Sequence, residues 1–269
     1  MNKAEGFGPR PSLPSLTYRL WKVWRRDFDV FMKTYKVNFL PPLFEPILYL
    51  LAMGFGVGSF FKGRIEGVSY IQFIAPALVA ISMMYGAFFE CTYGSFVRMY
   101  YQRTFEGIIA TPVSVEEVIA GELLWGATRA LINSTIVLAV VAAFGLLASP
   151  LFILIPVLSF PIGLMFSSLG MCFTALAPNI DFFNYPGFLF ITPMFLLSGT
   201  FFPLSFIPST AVQTAAQILL PLTQAVNLTR GLILGRAGIG LLFSFLWIVA
   251  VTITFFVISI NLMKRRLIE

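Results

Sequence analysis

Six apolar stretches, each long enough to cross a lipid bilayer, constrain this chain more than any other feature. They cover, to within a few residues, positions 38–61, 68–96, 115–146, 151–177, 185–206 and 239–262. A transmembrane α-helix needs about 20 predominantly apolar residues, whereas the strands of a membrane β-barrel alternate apolar and polar residues over about ten. The chain is 58% hydrophobic and only 11% charged. The sequence therefore predicts an all-α polytopic membrane protein with six transmembrane helices.

The segment before the first span has the pattern of an amphipathic helix. Apolar residues recur there at three- and four-residue steps, at Leu16, Leu20, Trp24, Phe28 and Phe31. Such a helix lies in the membrane surface with its aromatic face in the acyl boundary, although a cytosolic packing helix is the alternative. We predict a cytoplasmic tail and interfacial helix at 1–36, ahead of one transmembrane domain at 37–265. The candidate interfacial residues are Arg19, Trp21, Trp24, Arg25 and Arg26.

Lys and Arg residues are distributed unequally between the two sides of the predicted membrane. One side carries the bases before residue 37, the pair Arg98 and Arg103, and the C-terminal Lys264, Arg265 and Arg266. The loops of the other side carry only Lys62, Arg64, Arg230 and Arg236. Cytoplasmic loops have the excess of bases, so both termini are predicted to be cytoplasmic. The net charge of +6 thus reports orientation in the membrane, and we expect no nucleic-acid partner.

A charged, broken stretch separates the second and third spans. Residues 100–110 can form a short helix with Arg103 and Glu106 exposed, and Pro112 ends it because proline removes a donor. Ser114, with Glu117 three residues later, forms a capping box that starts the third span. A short, rigid helix between two membrane helices can transmit force from a cytoplasmic partner to the spans. An ordinary loop is the alternative, but it would not need Phe105, Ile108 and Ile109 between its charges.

Four ionisable residues fall within predicted spans: Glu45, Glu90, Glu122 and Arg129. Such residues are costly in a membrane and are candidates for function. Glu122 and Arg129 are seven positions apart and share one face of a helix. The alternative to a functional role is a buried ion pair or network that ties spans together.

The segment between the fifth and sixth spans is too short and too often interrupted to cross the membrane. Pro203, Pro208 and Pro221 divide it into two helical pieces of roughly a dozen residues each. Non-helical backbone at membrane depth persists only against protein or a wet cavity. We therefore predict two short helices that dip into the outer leaflet and return, with a disordered loop as the alternative.

The chain lacks the residues for several kinds of catalysis. It has no histidine, which excludes a His-based catalytic site and His metal ligation. The stretch "GSFFKGRI" has Arg64 and Ile65 where a phosphate-binding loop needs lysine and a hydroxyl. Cys91 and Cys172 both lie within predicted spans, so a disulfide framework is not expected. We expect no catalytic residue, cofactor or metal in this chain.

Three segments resemble ABC type-2 export permeases, closest to the branch of nodulation lipo-oligosaccharide exporters and drug-export permeases. "RTFEGIIATPVSVEEVIAGELLWGATRALI" is similar to their first cytoplasmic loop and third helix. "LAPNIDFFNYPGFLFITPMFLLSGTFFPLSFIP" and "LLPLTQAVNLTRGLILG" are similar to their fifth helix and the external segment after it. The resemblance covers about residues 15–265 in consistent order.

The resemblance implies roles for particular residues. The helix from Leu16 to Lys33 would be the interfacial helix, and the segment from Ser209 to Leu234 the re-entrant external helices. The third span would open with Glu116, Glu117 and Glu122, the last where many relatives carry lysine. The coupling helix, which sits in a groove of the ATPase, would contain Tyr101, Arg103, Phe105, Glu106, Ile108 and Ile109.

The resemblance also implies an assembly and a location. It implies that two permease copies, as a homodimer, assemble with two ABC ATPase subunits, which bind ATP and Mg²⁺ in place of this chain. The first and fifth spans of opposite copies would border the translocation path. The complex lies in a bacterial inner membrane, contacts lipid and exports an amphipathic or glycolipid substrate. An ion-driven secondary transporter would need midplane acids and usually an internal repeat. A membrane scaffold without transport activity is the third alternative.

Overall fold

The computed structural model describes residues 16–60, 63–236 and 238–268. The predicted cytoplasmic tail before residue 16 lies outside these residues, as does Lys62. The described chain is helical, with ten α-helices: α1 Leu20–Tyr49, α2 Tyr70–Phe89, α3 Thr104–Ile109, α4 Val115–Ala143, α5 Ile155–Leu176, α6 Asn184–Pro186, α7 Thr192–Leu197, α8 Thr210–Leu219, α9 Pro221–Leu234 and α10 Ile239–Ile268.

Short 3₁₀ and π segments extend these helices to membrane length. Within the described residues, six helical stretches are long and apolar enough to cross a bilayer, which confirms the predicted number: Leu20–Phe60, Tyr70–Tyr101, Val115–Ala143, Pro150–Leu176, Ile180–Leu197 and Ile239–Ile268. The fifth stretch ends earlier than predicted. Gly199 follows it with a φ of 71°, a left-handed conformation that cannot continue a helix.

The first span differs from its predicted form. We expected an interfacial helix and a separate span from residue 38, but α1 runs through this boundary without a break. It contains Pro41, Pro42 and Pro46, and then continues as a π-helical segment from Leu50 to Gly56. Each proline removes one backbone donor, and its fixed φ stays compatible with a helix. The loss of single hydrogen bonds therefore disturbs this helix locally without ending it.

The bundle is organised around α4, which packs against α1, α2 and α5, while α10 packs along α5. Glycines bring α4 and α5 close together. A Cβ atom on Gly163 would lie 2.5 Å from the Cβ of Ala130 and 3.0 Å from the Cα of Ala127. Small residues at such crossings allow the closely fitting contacts that hold membrane helices together.

The two ends of the bundle are distinct, and we name each after a short helix. At the α3 end, the start of α1 meets the start of α4 through Thr17 and Glu117, and the end of α10 meets it through Lys264 and Glu116. At the α8 end, Glu66 pairs with Arg236. Both described chain ends thus lie at the α3 end, as an even number of crossings requires.

Two short helices occupy the segment before the last span, as predicted. Helix α8 is mostly exposed, whereas α9 is largely buried and packs against α2 and α10. Pro221 begins α9 and Gly235 ends it with a φ of 73°. The Arg230 guanidinium lies 3.9 Å from the ring centroid of Phe73 and donates to the Gly199 carbonyl at 2.8 Å. These contacts hold α9 against α2.

Candidate functional site

The α3 helix forms a small platform at one end of the bundle. Its N-terminal neighbour Arg103 has a left-handed backbone, with φ 49°, which turns the chain sharply after the second span. The side chains of Tyr101, Arg103 and Glu106 are exposed, while Ile108 and Ile109 are half-buried. Neither Arg103 nor Glu106 has a side-chain hydrogen bond or ion pair within the described residues. The platform thus presents two charges without internal partners.

Phe105, which the resemblance assigns to the coupling helix, lies on the opposite side of this platform. The side chain is fully buried in a cluster with Phe96, Val118, Ile119 and Met263. A buried phenylalanine contributes to the fold and cannot insert into a partner. Its position joins α3 to the start of α4.

The start of α4 is held from three directions. The predicted capping box is present: the Glu117 carboxylate accepts from the Ser114 backbone N–H at 2.8 Å, and Ser114 Oγ accepts from the Glu117 N–H at 3.2 Å. Glu117 also accepts from the backbone N–H and the hydroxyl of Thr17. Arg19 donates to the carbonyl oxygen of Pro112, and Lys264 Nζ lies 2.6 Å from Glu116 Oε1.

A buried carboxylate, Glu122, lies one to two turns further along α4. Its Oε2 atom is 2.6 Å from Arg98 Nη2, 2.9 Å from Arg98 Nε and 2.7 Å from Ser95 Oγ. Its Oε1 atom is 3.3 Å from Arg26 Nη2, and Arg26 also pairs with the buried Asp27. Glu122 therefore joins α1 and the end of the second span to α4.

Glu90 extends this network toward the middle of the bundle. Its Oε1 atom accepts from Arg98 Nη1 at 2.8 Å and from Trp125 Nε1 at 3.0 Å. Its Oε2 atom is 3.4 Å from Arg129 Nε, and the Arg129 guanidinium lies 4.8 Å from the Phe31 ring centroid. Arg129 thus pairs with Glu90 on another helix and not with Glu122, although the latter shares its helical face.

We call this cluster the ion-pair network. It contains three acids and three bases, and its net charge is zero: Asp27, Glu90, Glu122, Arg26, Arg98 and Arg129. A network that ties spans together was one of the two predicted alternatives. Sequence reasoning missed two of its members: the helical pattern did not single out Asp27, and Arg98 was counted as a loop base.

The predicted interfacial residues divide between the bundle and its surface. Trp21 and Arg25 are exposed. Trp24 donates from Nε1 to the Thr128 hydroxyl at 2.8 Å, and Arg26 points into the ion-pair network. The aromatic face of α1 therefore contacts α4, as expected for the alternative of a packing helix.

A cavity of about 500 Å³ opens beside the ion-pair network, between α1, α2, α4 and α7. Glu90 and Arg129 line it, and so does Glu45, the remaining predicted intramembrane acid. The side chain of Glu45 is exposed to this space and has no hydrogen bond or ion pair among the described residues. Asn133 also lines it, and its buried Oδ1 atom lacks a partner.

No group of three His, Cys, Asp or Glu residues within ranges 16–60, 63–236 and 238–268 is arranged to hold a metal ion. Cys91 and Cys172 are free. The acids of the ion-pair network are neutralised by arginines, so the arrangement can fix helices relative to one another.

Six helical stretches of membrane length within the described residues define a multi-pass membrane protein. The chain belongs to the ABC-2 type transporter family, whose profile matches residues 18–234. It is the membrane-embedded permease subunit of an ABC transporter, with a transport role.

Curated relatives match nearly the whole chain. It is 38% identical over 259 residues to nodulation protein J of Rhizobium meliloti, covering 95% of this chain and 97% of that protein. It is 35% identical over 258 residues to nodulation protein J of Sinorhizobium fredii, covering 96% and 97%. It is 25% identical over 246 residues to the inner membrane transport permease YadH of Escherichia coli, covering 91% and 94%. No solved structure matches.

Proposed function

We propose that this permease works as a pair of identical chains with two separately encoded ABC ATPase subunits, and that it exports an amphipathic or glycolipid substrate. ATP and Mg²⁺ bind to the ATPases, and this chain hydrolyses nothing. The α3 end faces the cytoplasm of a bacterial inner membrane, with both termini on that side. This orientation follows from the excess of bases at the α3 end.

The α3 platform is the observation that carries the proposal. Arg103, directly before α3, and Glu106, on this helix of six residues, are exposed and have no partner in the described chain. The neighbouring Tyr100 and Tyr101 are 58% and 59% exposed. Exposed tyrosines beside unpaired charges are typical of a protein-binding surface, because aromatic and arginine side chains dominate interface energetics. An ATPase groove would contact this surface.

The contacts behind the platform suggest how force reaches the spans. Phe105 packs against Val118 and Ile119 on the first turns of α4. Glu122, one turn further along, joins α4 to Arg98 of the second span and to Arg26 of α1. A displacement of α3 would therefore move three membrane helices as a unit, since packed cores transmit movement and do not absorb it.

The nature of the substrate is supported by the resemblance and by the cavity. The resemblance is to exporters of lipo-oligosaccharides and drugs, which are amphipathic molecules. The cavity combines apolar walls, such as Leu78 and Ile81, with polar groups such as Glu45 and Asn133. Sites for small amphipathic ligands generally have this composition.

The test is charge reversal on the platform. Arg103→Glu with Glu106→Lys changes two exposed side chains and leaves the buried Phe105 in place. We expect normal insertion and a normal melting temperature, together with loss of the co-expressed ATPase from the purified complex and loss of export. Repulsive contacts introduced at an interface act in this way.

The matched control is Arg64→Glu with Glu66→Lys at the α8 end of the bundle. It also reverses one base and one acid in neighbouring exposed positions. We expect this variant to retain both the ATPase and export. If the platform variant retains them as well, α3 is an ordinary surface turn and the proposed coupling is wrong.

A further inference from the structure

We propose that the cavity between α1, α2, α4 and α7 binds an amphipathic organic cation, with Glu45 as its counter-ion and aromatic rings as its walls. This inference deepens the proposed function, since it names the charge of a molecule that the permease accepts. It rests on the described side chains that line the cavity, and it can be tested without the ATPase.

Among the charged side chains that line the cavity, Glu45 is the one without an ion-pair partner in the described residues. Glu90 and Arg129 line the same space, but both belong to the neutral ion-pair network. Glu45 lies on α1 between Pro42 and Pro46, outside that network, and no described base approaches it. A carboxylate at membrane depth is costly unless it has a counter-charge or water. The cavity therefore carries one uncompensated negative charge that a cationic ligand would neutralise.

Aromatic rings line the same cavity as this carboxylate. Tyr49, Tyr85, Phe89 and Phe195 all line the cavity. Tyr85 stacks on Phe89 with ring centroids 5.5 Å apart, and its centroid is 6.3 Å from that of Phe195. Tyr49 lies one helical turn after Glu45 on α1, and both side chains line the cavity. Ring faces attract cations, and a carboxylate among aromatic rings is a setting suited to an ammonium or phosphonium group.

The other side chains that line the cavity determine which ligand shape and polarity it accepts. Leu78, Ile81 and Val137 offer apolar surface for a hydrocarbon or aromatic portion. Asn133 adds a polar side chain to the same wall. Arg129 would repel a second positive charge brought to its wall. A volume of about 500 Å³ lies within the range of small-molecule sites, and together these features select a monovalent amphipathic cation.

Two probes of the same shape and opposite charge test the proposal directly: tetraphenylphosphonium and tetraphenylborate. Binding of each is measured by equilibrium dialysis with detergent-purified permease, corrected for uptake by protein-free micelles. We expect saturable binding of the phosphonium and none of the borate. Glu45→Gln should weaken phosphonium binding by about tenfold or more, the ratio typical of one charge-assisted contact. Tyr85→Leu should weaken it roughly two- to thirtyfold through the lost ring.

The control is Glu66→Gln, which neutralises an acid at the α8 end outside the cavity. It should bind the phosphonium as the unmodified chain does. Borate binding as tight as phosphonium binding would overturn the proposal, and so would unchanged phosphonium binding in Glu45→Gln. Should Glu45→Gln fail to fold, the preference between the two probes in the unmodified chain still decides. None of these measurements involves an ATPase, so their failure would leave the proposed coupling through α3 unaffected.

Discussion

Two nitrogens of Arg98 donate to the same carboxylate oxygen of Glu122: Nε lies 2.9 Å and Nη2 2.6 Å from Oε2. The Glu122 side chain is completely buried and that of Arg98 is 15% exposed. Planar, multi-point pairing of this kind suits arginine, because its guanidinium presents several donors in a fixed geometry. The pair connects the end of the second span to α4 at the level where α1 also joins.

Breaking this pair should destabilise the protein severely. Glu122→Gln leaves Arg98 with one neutral partner in place of a carboxylate, and Arg98→Met leaves Glu122 without its strongest contacts. Loss of one partner of a buried pair costs about 3–5 kcal/mol. We expect each single variant to melt at a clearly lower temperature in detergent. The double variant Arg98→Met with Glu122→Gln should be less destabilised than the sum of the two single variants, and additive losses would contradict the pairing.

Phe105→Ala should lower stability, whatever its effect on partners. The ring is fully buried against α4, and removal of a buried phenylalanine side chain costs about 3–5 kcal/mol. Phe105→Leu keeps most of the volume and should cost less than about 1.5 kcal/mol. Tyr101→Ala at an exposed site of the same platform is the control, with a change within about 0.5 kcal/mol. Thermal unfolding in detergent separates these cases, and an unaffected Phe105→Ala variant would contradict the burial.

Gly163→Ala should loosen the contact between α4 and α5. The added Cβ would meet Ala130 at 2.5 Å, so the helices must separate or shift. Overpacking of this kind costs about 1–3 kcal/mol. Gly240→Ala is the matched control, since nothing lies within 4 Å of its added Cβ. A melting temperature equal for both variants would mean that the two helices do not approach so closely.

The orientation in the membrane can be measured with reporters. A fusion after Lys264 should behave as cytoplasmic, and an insertion near Ser209 as external, because the bases concentrate at the α3 end. Alkaline phosphatase and a cytoplasmic fluorescent reporter give opposite signals in the two compartments. The reverse pattern would place the α3 platform out of reach of an ATPase.

Pairing of two permease chains should be detectable by cross-linking. Phe44 on α1 and Phe188 in the fifth span are 53% and 73% exposed, on spans that the resemblance assigns to the path between protomers. Single cysteines there, in a background with Cys91 and Cys172 replaced by alanine, should yield dimers on oxidation in membranes. A cysteine at the fully buried Phe166 should not. Strictly monomeric products at both exposed positions would count against the dimer.

Local features of the chain were predictable because they depend on neighbours in the sequence. The length of an apolar run determines whether a helix can span a bilayer, and six spans follow from six runs. The cap formed by Ser114 and Glu117, and the start of α9 at Pro221, also depend only on backbone groups a few residues away. The boundary between the interfacial helix and the first span was the exception, because α1 continues through it and through the prolines at positions 41, 42 and 46.

What only the tertiary structure decided is which neighbour each side chain meets. The sequence alone determined that Phe105 is apolar, that Arg98 is basic and that Glu45 lies within a span. Helical periodicity cannot tell whether a ring such as Trp24 faces lipid or another helix, because both environments are equally apolar. The packing of α1, α2 and α4 places Trp24 and Phe105 against other helices and pairs Arg98 with Glu90 and Glu122. It also leaves Glu45 facing a cavity. Those choices arise from contacts between residues distant in the chain, where crossing geometry and charge pairing outweigh hydropathy.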